Sequence, residues 1–168
     1  MEVLLYPDPR LKAVAEPIDR IDDEVRKTAA EMVKTMHEHR GVGLAGNQVG
    51  YLRRLIVINP EGDPEGDRVL VNPAIESARG TTSSEEGCLS FPKLYGRVTR
   101  AAWVRATAKD LDGKDVVIES DGLLAIVLQH EIDHLDGILF VSKMSPTDQL
   151  KLKRSLKDLE ERAKSPVR

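Results

Sequence analysis

The chain has 168 residues, of which 40% are hydrophobic and 32% are charged, and this balance excludes an intrinsically disordered protein. Its net charge of −3 gives no general attraction for nucleic acid, and its single cysteine excludes an internal disulfide. Because no apolar run approaches membrane-spanning length and no secretory signal opens the chain, we expect one cytoplasmic domain over residues 1–168.

An irregular segment and a helix come first. Residues 3–20 are interrupted by three prolines, Pro7, Pro9 and Pro17. The next stretch predicts a helix, because apolar residues recur there at intervals of three and four: Ile21, Val25, Ala29, Met32, Val33 and Met36. Asp22 can cap its start, and Gly41 follows its end. His37 and His39 fall in the last turn, where contact with the helix dipole is a simpler interpretation than metal binding.

A glycine-rich loop follows, with four glycines in residues 41–50. Glycine permits left-handed backbone and the close approach of another segment. The glycine spacing does not match a dinucleotide-binding loop, and no Lys-Ser or Lys-Thr pair closes it as in a phosphate-binding loop. Gln48 in this loop is a neutral amide donor that suits a polarised carbonyl oxygen.

Short apolar segments in the middle of the chain predict β-strands separated by polar turns. The predicted strands cover residues 52–59, 69–71, 74–76, 98–108 and 116–119. Residues 80–84 are polar and predict a turn, and Asp112-Gly113 predicts a hairpin turn.

The apolar run of residues 123–128 predicts a buried helix that continues through Gln129-His130-Glu131-Ile132-Asp133-His134. Asp121 can cap this helix at its start, and Gly137 can end it.

Two histidines on this helix indicate a metal site. His130 and His134 are four residues apart, so both imidazoles project from one face and can hold one transition-metal ion. Glu131 is next to the first of them and can move the protons of a metal-bound water. Burying two histidines beside an apolar run is unfavourable without a partner, so we favour a metal site over two hydrogen-bonded core histidines.

A catalytic metal needs a third protein ligand, and the residues alone leave its identity open. The candidates are a carboxylate or Cys88. A lone buried cysteine is usually only a small hydrophobic residue, although Cys88 follows a glycine at which the backbone can turn sharply.

The C-terminal segment predicts an amphipathic helix over residues 146–164. From residue 143 onward it contains four acidic and eight basic residues, a net charge of +4 against −3 for the whole chain. The basic residues are Lys143, Lys151, Lys153, Arg154, Lys157, Arg162, Lys164 and Arg168. A solvated helix is the default interpretation, and docking to an anionic surface is the more specific one.

Three ordered motifs resemble those of the peptide deformylase family. They are Gly41-Val42-Gly43-Leu44-Ala45-x-x-Gln48, Glu86-Gly87-Cys88-Leu89-Ser90 and Gln129-His130-Glu131-x-x-His134. The resemblance runs from about residue 3 to about residue 144. Family members usually have a second alanine, and often a proline, where this chain has Gly46 and Asn47.

This resemblance implies an α+β fold in which antiparallel β-sheets wrap around a central metal-binding α-helix, with an N-terminal helix and a C-terminal helix. It implies a hydrolase that removes the N-terminal formyl group from N-formylmethionyl nascent polypeptides and releases formate. The implied metal ligands are Cys88, His130 and His134. The implied metal is Fe(2+), one per chain, and Zn, Ni or Co can occupy the site in the isolated protein.

The resemblance also implies how the reaction proceeds. Glu131 would take the proton of a metal-bound water as hydroxide attacks the formyl carbon, and would pass it to the leaving amine. The Gln48 side chain and the Leu89 backbone N–H would hold the oxyanion together with the metal.

Substrate contacts follow from the same resemblance. A backbone edge for pairing with the peptide would come from Val42, Gly43, Leu44 and Gly87. Leu123 and Ile126 lie on the helix face of His130 and are candidates for the methionine pocket, and we expect one of the two to belong only to the core. Glu86 and Arg100 are candidates for a supporting ion pair.

The expected partners are the nascent formylated polypeptide and the ribosome, the latter through the basic C-terminal helix. We expect a monomer with no membrane contact and no sequence-specific nucleic acid binding. Two other functions are open. An endopeptidase with the same helix motif would use a carboxylate or a third histidine and leave Cys88 idle. A binding module would keep the fold without catalysis, but it has no need for the Gln, Cys, Glu and His set together, so we favour the enzyme.

Overall fold

The computed structural model describes residues 1–164, so the basic residue at position 168 lies outside the described part. The strands are β1 (Gly43–Ala45), β2 (Leu55–Ile58), β3 (Arg68–Arg79), β4 (Thr82–Cys88), β5 (Phe91–Arg100), β6 (Trp103–Lys109) and β7 (Asp115–Asp121). The α-helices are α1 (Asp23–Glu38), α2 (Gly122–Leu135) and α3 (Pro146–Lys164). Within residues 1–164, none of the helices combines the length and apolar character needed to cross a membrane.

Five strands form one antiparallel sheet in the order β1-β2-β3-β6-β7, and β4 and β5 form a separate two-stranded antiparallel sheet. The predicted α+β class with antiparallel sheets is therefore confirmed. Because β1 is the outermost strand of its sheet, one of its edges has no neighbouring strand among the described residues.

Two of the strand predictions were wrong in their boundaries. The segments predicted at 69–71 and 74–76 form one strand, β3, whose pairing with β6 shifts register between Val71 and Ala74. The shift contains Pro73, which has no N–H to donate to the ladder, and Asn72, which has a φ of 51°. A bulge accommodates both residues without ending the strand.

The strand predicted over residues 98–108 is divided between β5 and β6, which belong to different sheets. The polar turn predicted at 80–84 is also shorter than expected, because β4 already begins at Thr82 and pairs with Arg100 of β5. Cross-strand pairing outweighs the local polarity of this segment, and no local pattern marks the place where the chain changes sheets.

Strand β2 connects two layers of the core. Successive side chains of a strand face opposite sides of its sheet, so Ile56 packs in one cluster with Leu128 of α2, and Leu55 packs in another with Met32 of α1. All four side chains are fully buried. Burial of each contributes roughly 1.5–3 kcal/mol to stability. This packing holds α2 firmly against one face of the five-stranded sheet.

Helix α1 begins as predicted, since the Asp22 carboxylate accepts a hydrogen bond from the Val25 N–H at 3.1 Å. At its other end, His39 Nδ1 lies 2.9 Å from the Thr35 carbonyl oxygen, and His37 pairs with an aspartate of a later loop. Neither histidine belongs to the candidate metal-binding cluster of residues 1–164, which is formed by Cys88, His130 and His134.

Helix α3 packs on the outside of a third apolar cluster, which is centred on Phe91 and Phe140. Its contact residues are Leu152, Leu156 and Leu159. None of its residues is fully buried, so most of its basic surface faces outward.

Candidate metal centre

Helix α2 positions both histidines of the predicted metal motif. It starts directly after β7, with Asp121 at the N-cap position, although the Asp121 side chain makes no capping hydrogen bond. Gly137 has a φ of 71° and takes the chain out of the helix, as predicted. His130 and His134 lie one turn apart, and their ring centroids are 5.0 Å from each other.

The strand β4 brings Cys88 to these histidines from a distant part of the chain. The Cys88 Sγ lies 3.3 Å from His134 Nε2, and one ligand atom each from Cys88, His130 and His134 lie within 4.8 Å of one another. His130 and His134 are buried, and Cys88 is half-buried. One thiol and two imidazole nitrogens therefore converge at one point.

A buried ionic network orients the first histidine. His130 Nδ1 lies 3.0 Å from Glu86 Oε2, and a carboxylate can only accept, so Nδ1 carries the hydrogen. Arg100 donates to both oxygens of Glu86, at 2.5 and 2.9 Å, and to Asp133 at 2.8 Å. The predicted Glu86–Arg100 ion pair is confirmed. The other ring nitrogen, Nε2, then faces the cluster. A carboxylate that accepts from one ring nitrogen usually orients a metal-binding histidine in this way.

The network also sets the charge of Glu86. Burial by itself would raise the pKa of this carboxyl, but the hydrogen bonds from His130 and Arg100 outweigh burial and lower it below the usual value. Glu86 is therefore a buried anion, compensated by the Arg100 guanidinium.

The pKa values of the two histidines are shifted in opposite directions. Burial lowers the pKa of His134 well below its usual value. Burial also opposes protonation of His130, but hydrogen bonds to Cys88 and Glu86 raise the pKa of His130 to about 10. A positive charge is therefore favoured at His130, which lies beside a sulfur and a carboxylate, and disfavoured at His134.

This donor set fits a divalent transition metal. Sulfur and imidazole are the ligands that zinc and iron-group metals prefer, and a metal can replace the proton held between the thiol and the ring. His134 Nδ1 is buried and has no hydrogen-bond partner in the described part of the chain.

Glu131 lies beside the ligands in a confined position. It is buried, and its Oε2 has no hydrogen-bond partner within residues 1–164. Burial raises the pKa of Glu131 to about 7, which is suited to exchanging a proton near neutral pH. A Cβ atom at Gly43 would lie 2.5 Å from Glu131 Oε1, so only glycine leaves room for this carboxylate.

Gln48 is held at both ends of its carboxamide. Its Oε1 accepts from the Ala45 N–H at 2.9 Å, and this fixes which end is the amide nitrogen. Its Nε2 donates to Cys88 Sγ at 3.4 Å and to Ser90 Oγ at 3.2 Å. Leu89 lies between Cys88 and Ser90, in the turn from β4 to β5. The donor of Gln48 therefore points to the sulfur side of the cluster.

Gly46 and Asn47, which depart from the family pattern, are both buried and both lie in close contact with other segments. A Cβ atom at Gly46 would lie 2.4 Å from the Tyr51 carbonyl oxygen, so the alanine usual in the family does not fit here without movement. The Asn47 side chain donates to the Ala13 carbonyl oxygen at 2.6 Å. The Gln48 loop is consequently well anchored despite its extra glycine.

A cavity of about 1100 Å³ opens beside the cluster. Its lining contains these residues predicted to act in catalysis, metal binding or substrate binding: Val42, Gly43, Gln48, Gly87, Cys88, Leu89, Leu123, Ile126, His130 and Glu131. We expected one of Leu123 and Ile126 to belong only to the core, and this was wrong, because both line the cavity. Leu123 is exposed and Ile126 is half-buried, whereas Ala125 and Leu128 of the same two turns are fully buried in the core.

Leu44 is placed differently from its neighbours. Its side chain is fully buried in the cluster with α1, away from the cavity. The Asn59 N–H donates to the Val42 carbonyl oxygen, so Val42 and Leu44 direct their backbone groups toward β2, whereas Gly43 directs its own toward the free edge. The backbone groups of this stretch that do not pair with β2 therefore belong to Gly43.

Several contributions were missed at the sequence level. Asp133 completes the ionic network, and Phe140 has its ring centroid 5.8 Å from that of His130. The N-terminal residues Val3 and Leu5 line the cavity. Of these residues, only Asp133 could have been identified from the local sequence, because it lies within the histidine motif, one turn after His130 on the helix.

Comparisons with known proteins point to one family. A family model described as polypeptide deformylase matches residues 1–150. The chain is 45% identical over 160 residues to a peptide deformylase of Chromobacterium violaceum, covering 95% of this chain and 96% of that protein. It is 45% identical over 157 residues to a peptide deformylase of Neisseria gonorrhoeae, covering 94% of each.

Solved structures are similar over nearly the whole chain. A peptide deformylase from Legionella pneumophila has a TM-score of 0.89 at 42% identity and covers 98% of both chains. Arabidopsis thaliana peptide deformylase 1B, in complex with an inhibitor, has a TM-score of 0.93 at 38% identity, covering 97% of this chain and 92% of that one.

Proposed function

Because the chain belongs to the polypeptide deformylase family, we propose that Cys88, His130 and His134 hold the metal with which it removes the formyl group of nascent polypeptides. The observation that carries this assignment is the convergence of one sulfur and two imidazole donors beside a cavity of about 1100 Å³. The products are formate and a free amino terminus.

We assign one Fe(2+) per chain to this site, with Zn, Ni or Co as substitutes in isolated protein. A thiolate donates more charge than a carboxylate and suits softer divalent metals. When bound, the metal supplies Lewis acidity that polarises a carbonyl group and makes a water more acidic.

Glu131 is the proposed general base and acid. Its raised pKa, about 7, lets it accept a proton from the attacking water and return it to the departing amine at neutral pH. Its unpartnered Oε2 is free to make that contact.

Gln48 and Leu89 are the proposed donors to the oxyanion. Gln48 Nε2 already points toward the sulfur ligand, and Leu89 follows that ligand in the chain, so its N–H is nearby. A preorganised donor of this kind is worth about 3 kcal/mol in the transition state.

The peptide is proposed to bind as an added strand. The free edge of β1 presents the backbone of Gly43, and Gly43 and Gly87 both line the cavity, which suits pairing along an extended chain. Leu123 and Ile126 would then surround the methionine side chain.

The carboxy-terminal helix is a proposed ribosome-docking surface of a cytoplasmic, monomeric enzyme whose single catalytic domain spans the whole chain. Its basic side chains are exposed on the outer face at Lys151, Lys153, Arg154 and Lys157. Replacing these four with glutamate is expected to reduce co-sedimentation with ribosomes, most clearly at low salt. Unchanged sedimentation would exclude this docking surface.

The assay for the proposed function measures formate release from formyl-Met-Ala-Ser by protein loaded anaerobically with Fe(II). Cys88→Ala is expected to lose both the metal and the activity, and Ser83→Ala, on the exposed face of the same strand, is the control. Metal content and formate release retained in Cys88→Ala would show that a residue other than Cys88 is the third ligand. Cleavage of internal peptide bonds without formate release by the wild type would instead favour an endopeptidase.

A further inference from the structure

The N-terminal segment joins the two loops that carry the proposed catalytic groups. The Leu4 N–H donates to the Gln48 carbonyl oxygen at 2.7 Å, and the Tyr6 N–H donates to the Ser90 carbonyl oxygen at 2.9 Å. Gln48 and Ser90 belong to different loops, one after β1 and the other between β4 and β5. Two backbone hydrogen bonds, two residues apart, therefore hold these loops side by side.

The side chain of Tyr6 extends this connection into the core. Its ring stacks on Phe91, with centroids 4.9 Å apart and an interplanar angle of 22°. Phe91 meets Phe140 edge-on at 5.4 Å, and Phe140 lies against His130 at 5.8 Å. A continuous row of rings thus runs from the N-terminal segment to a metal ligand.

The hydroxyl of Tyr6 is fixed from the opposite side. It donates to Glu160 of α3 at 2.6 Å. The hydrogen bond to Glu160, with burial, raises the pKa of Tyr6 to about 12, so the hydroxyl remains a donor at neutral pH. The ring is held between a buried aromatic residue and a helix.

We propose that Tyr6 is a positioning residue of the catalytic site, which keeps the Gln48 carboxamide in place relative to Cys88 through the stacked ring and the Ser90 contact. This inference rests on the proposed roles of Gln48 and Cys88. It assigns to the N-terminal segment a task in catalysis that is separate from binding the peptide.

The effect reaches Gln48 through a short path. The Tyr6 backbone N–H donates to the Ser90 carbonyl oxygen. The Ser90 hydroxyl in turn accepts a hydrogen bond from Gln48 Nε2 at 3.2 Å. If the ring no longer stacks on Phe91, the β4–β5 turn can shift relative to the Gln48 loop. A displacement of about 1 Å at a reacting group can reduce a rate by roughly 100-fold, and a partial displacement by about 10-fold.

The test compares Tyr6→Leu with Tyr6→Phe in the metal-loaded enzyme. Tyr6→Leu removes the planar ring, whereas Tyr6→Phe keeps it and loses only the bond to Glu160. We expect kcat of Tyr6→Leu to fall about 10-fold with KM within about twofold, and Tyr6→Phe to recover most of kcat. In protein loaded with diamagnetic Zn, the Gln48 side-chain amide resonance should shift in Tyr6→Leu and return in Tyr6→Phe.

Wild-type formate release is measured first, because its absence would refute the proposed function rather than the role of Tyr6. With an active wild type, a folded Tyr6→Leu with unchanged kcat and an unshifted amide resonance would overturn the inference. An equal loss in both variants would overturn it too, because the effect would then belong to the hydroxyl. Should Tyr6→Leu fail to fold, Tyr6→Met fills the same space without a ring and is judged by the same criteria.

Discussion

Gly43→Ala tests the space reserved for the proposed general base. The added Cβ would lie 2.5 Å from Glu131 Oε1 and 2.9 Å from its Cδ and Cγ, well inside ordinary contact distances. The φ of Gly43 is not in the left-handed region, so alanine brings no backbone strain of its own. The carboxylate has to move by about 0.8 Å to restore a normal van der Waals separation.

A movement of this size is large for proton transfer. We expect kcat to fall about 100-fold, equivalent to about 2.7 kcal/mol of transition-state stabilisation, while the metal content stays unchanged. The assay is formate release under saturating peptide, combined with metal analysis and a thermal unfolding curve.

Gly62→Ala is the matched control for this prediction. It makes the same chemical change in a loop where no atom lies within 4 Å, but at a φ of 68°, so it strains the backbone and leaves the site intact. We expect lower stability with unchanged kcat. A Gly43→Ala enzyme with kcat within twofold of the wild type would refute the reasoning, because the Glu131 carboxylate would then not need this position.

Three further outcomes are expected. Arg100→Met removes the guanidinium that compensates the buried Glu86 carboxylate, whereas Asp133 keeps its ion pair with Lys143. It should destabilise the fold by about 3–5 kcal/mol, measured by urea unfolding, and a loss below about 1 kcal/mol would contradict the network. Gly46→Ala should lower stability by about 1–3 kcal/mol because it meets the Tyr51 carbonyl, and an unchanged midpoint would show that the loop can move aside. Tyr6 has its pKa raised from 10.0 to about 12, so its contribution to stability is complete below pH 10 and lost as the pH rises toward 12. Thermal unfolding of Tyr6→Phe should therefore show a smaller alkaline decline than the wild type, and parallel curves would refute this contribution.

Helix α2 illustrates what local patterns predict well. An apolar run followed by two histidines four residues apart predicted both the helix and the shared face, because the helical repeat places such residues one turn apart. The strands were harder to predict from the sequence. Residues 98–108 look like one strand in sequence, yet β5 and β6 belong to different sheets, and the break depends on partners far away in the chain.

The glycines show the same limit. Gly43 and Gly46 have no special backbone angle, and their sequence context indicates only a flexible loop. Glycine is needed at these two positions because Glu131 lies against Gly43, and the Tyr51 carbonyl lies against Gly46, in the folded chain.

By itself the sequence determined the residue types of the site, the spacing of His130 and His134, and the family, because these follow from short-range order along the chain. Only the tertiary structure decided that Cys88 Sγ reaches His134 at 3.3 Å, that Glu86 and Arg100 lie behind His130, and that Tyr6 links two loops. The physical reason is that helical periodicity is a property of neighbouring residues, whereas these contacts depend on sheet register and on the packing of segments that are distant in sequence.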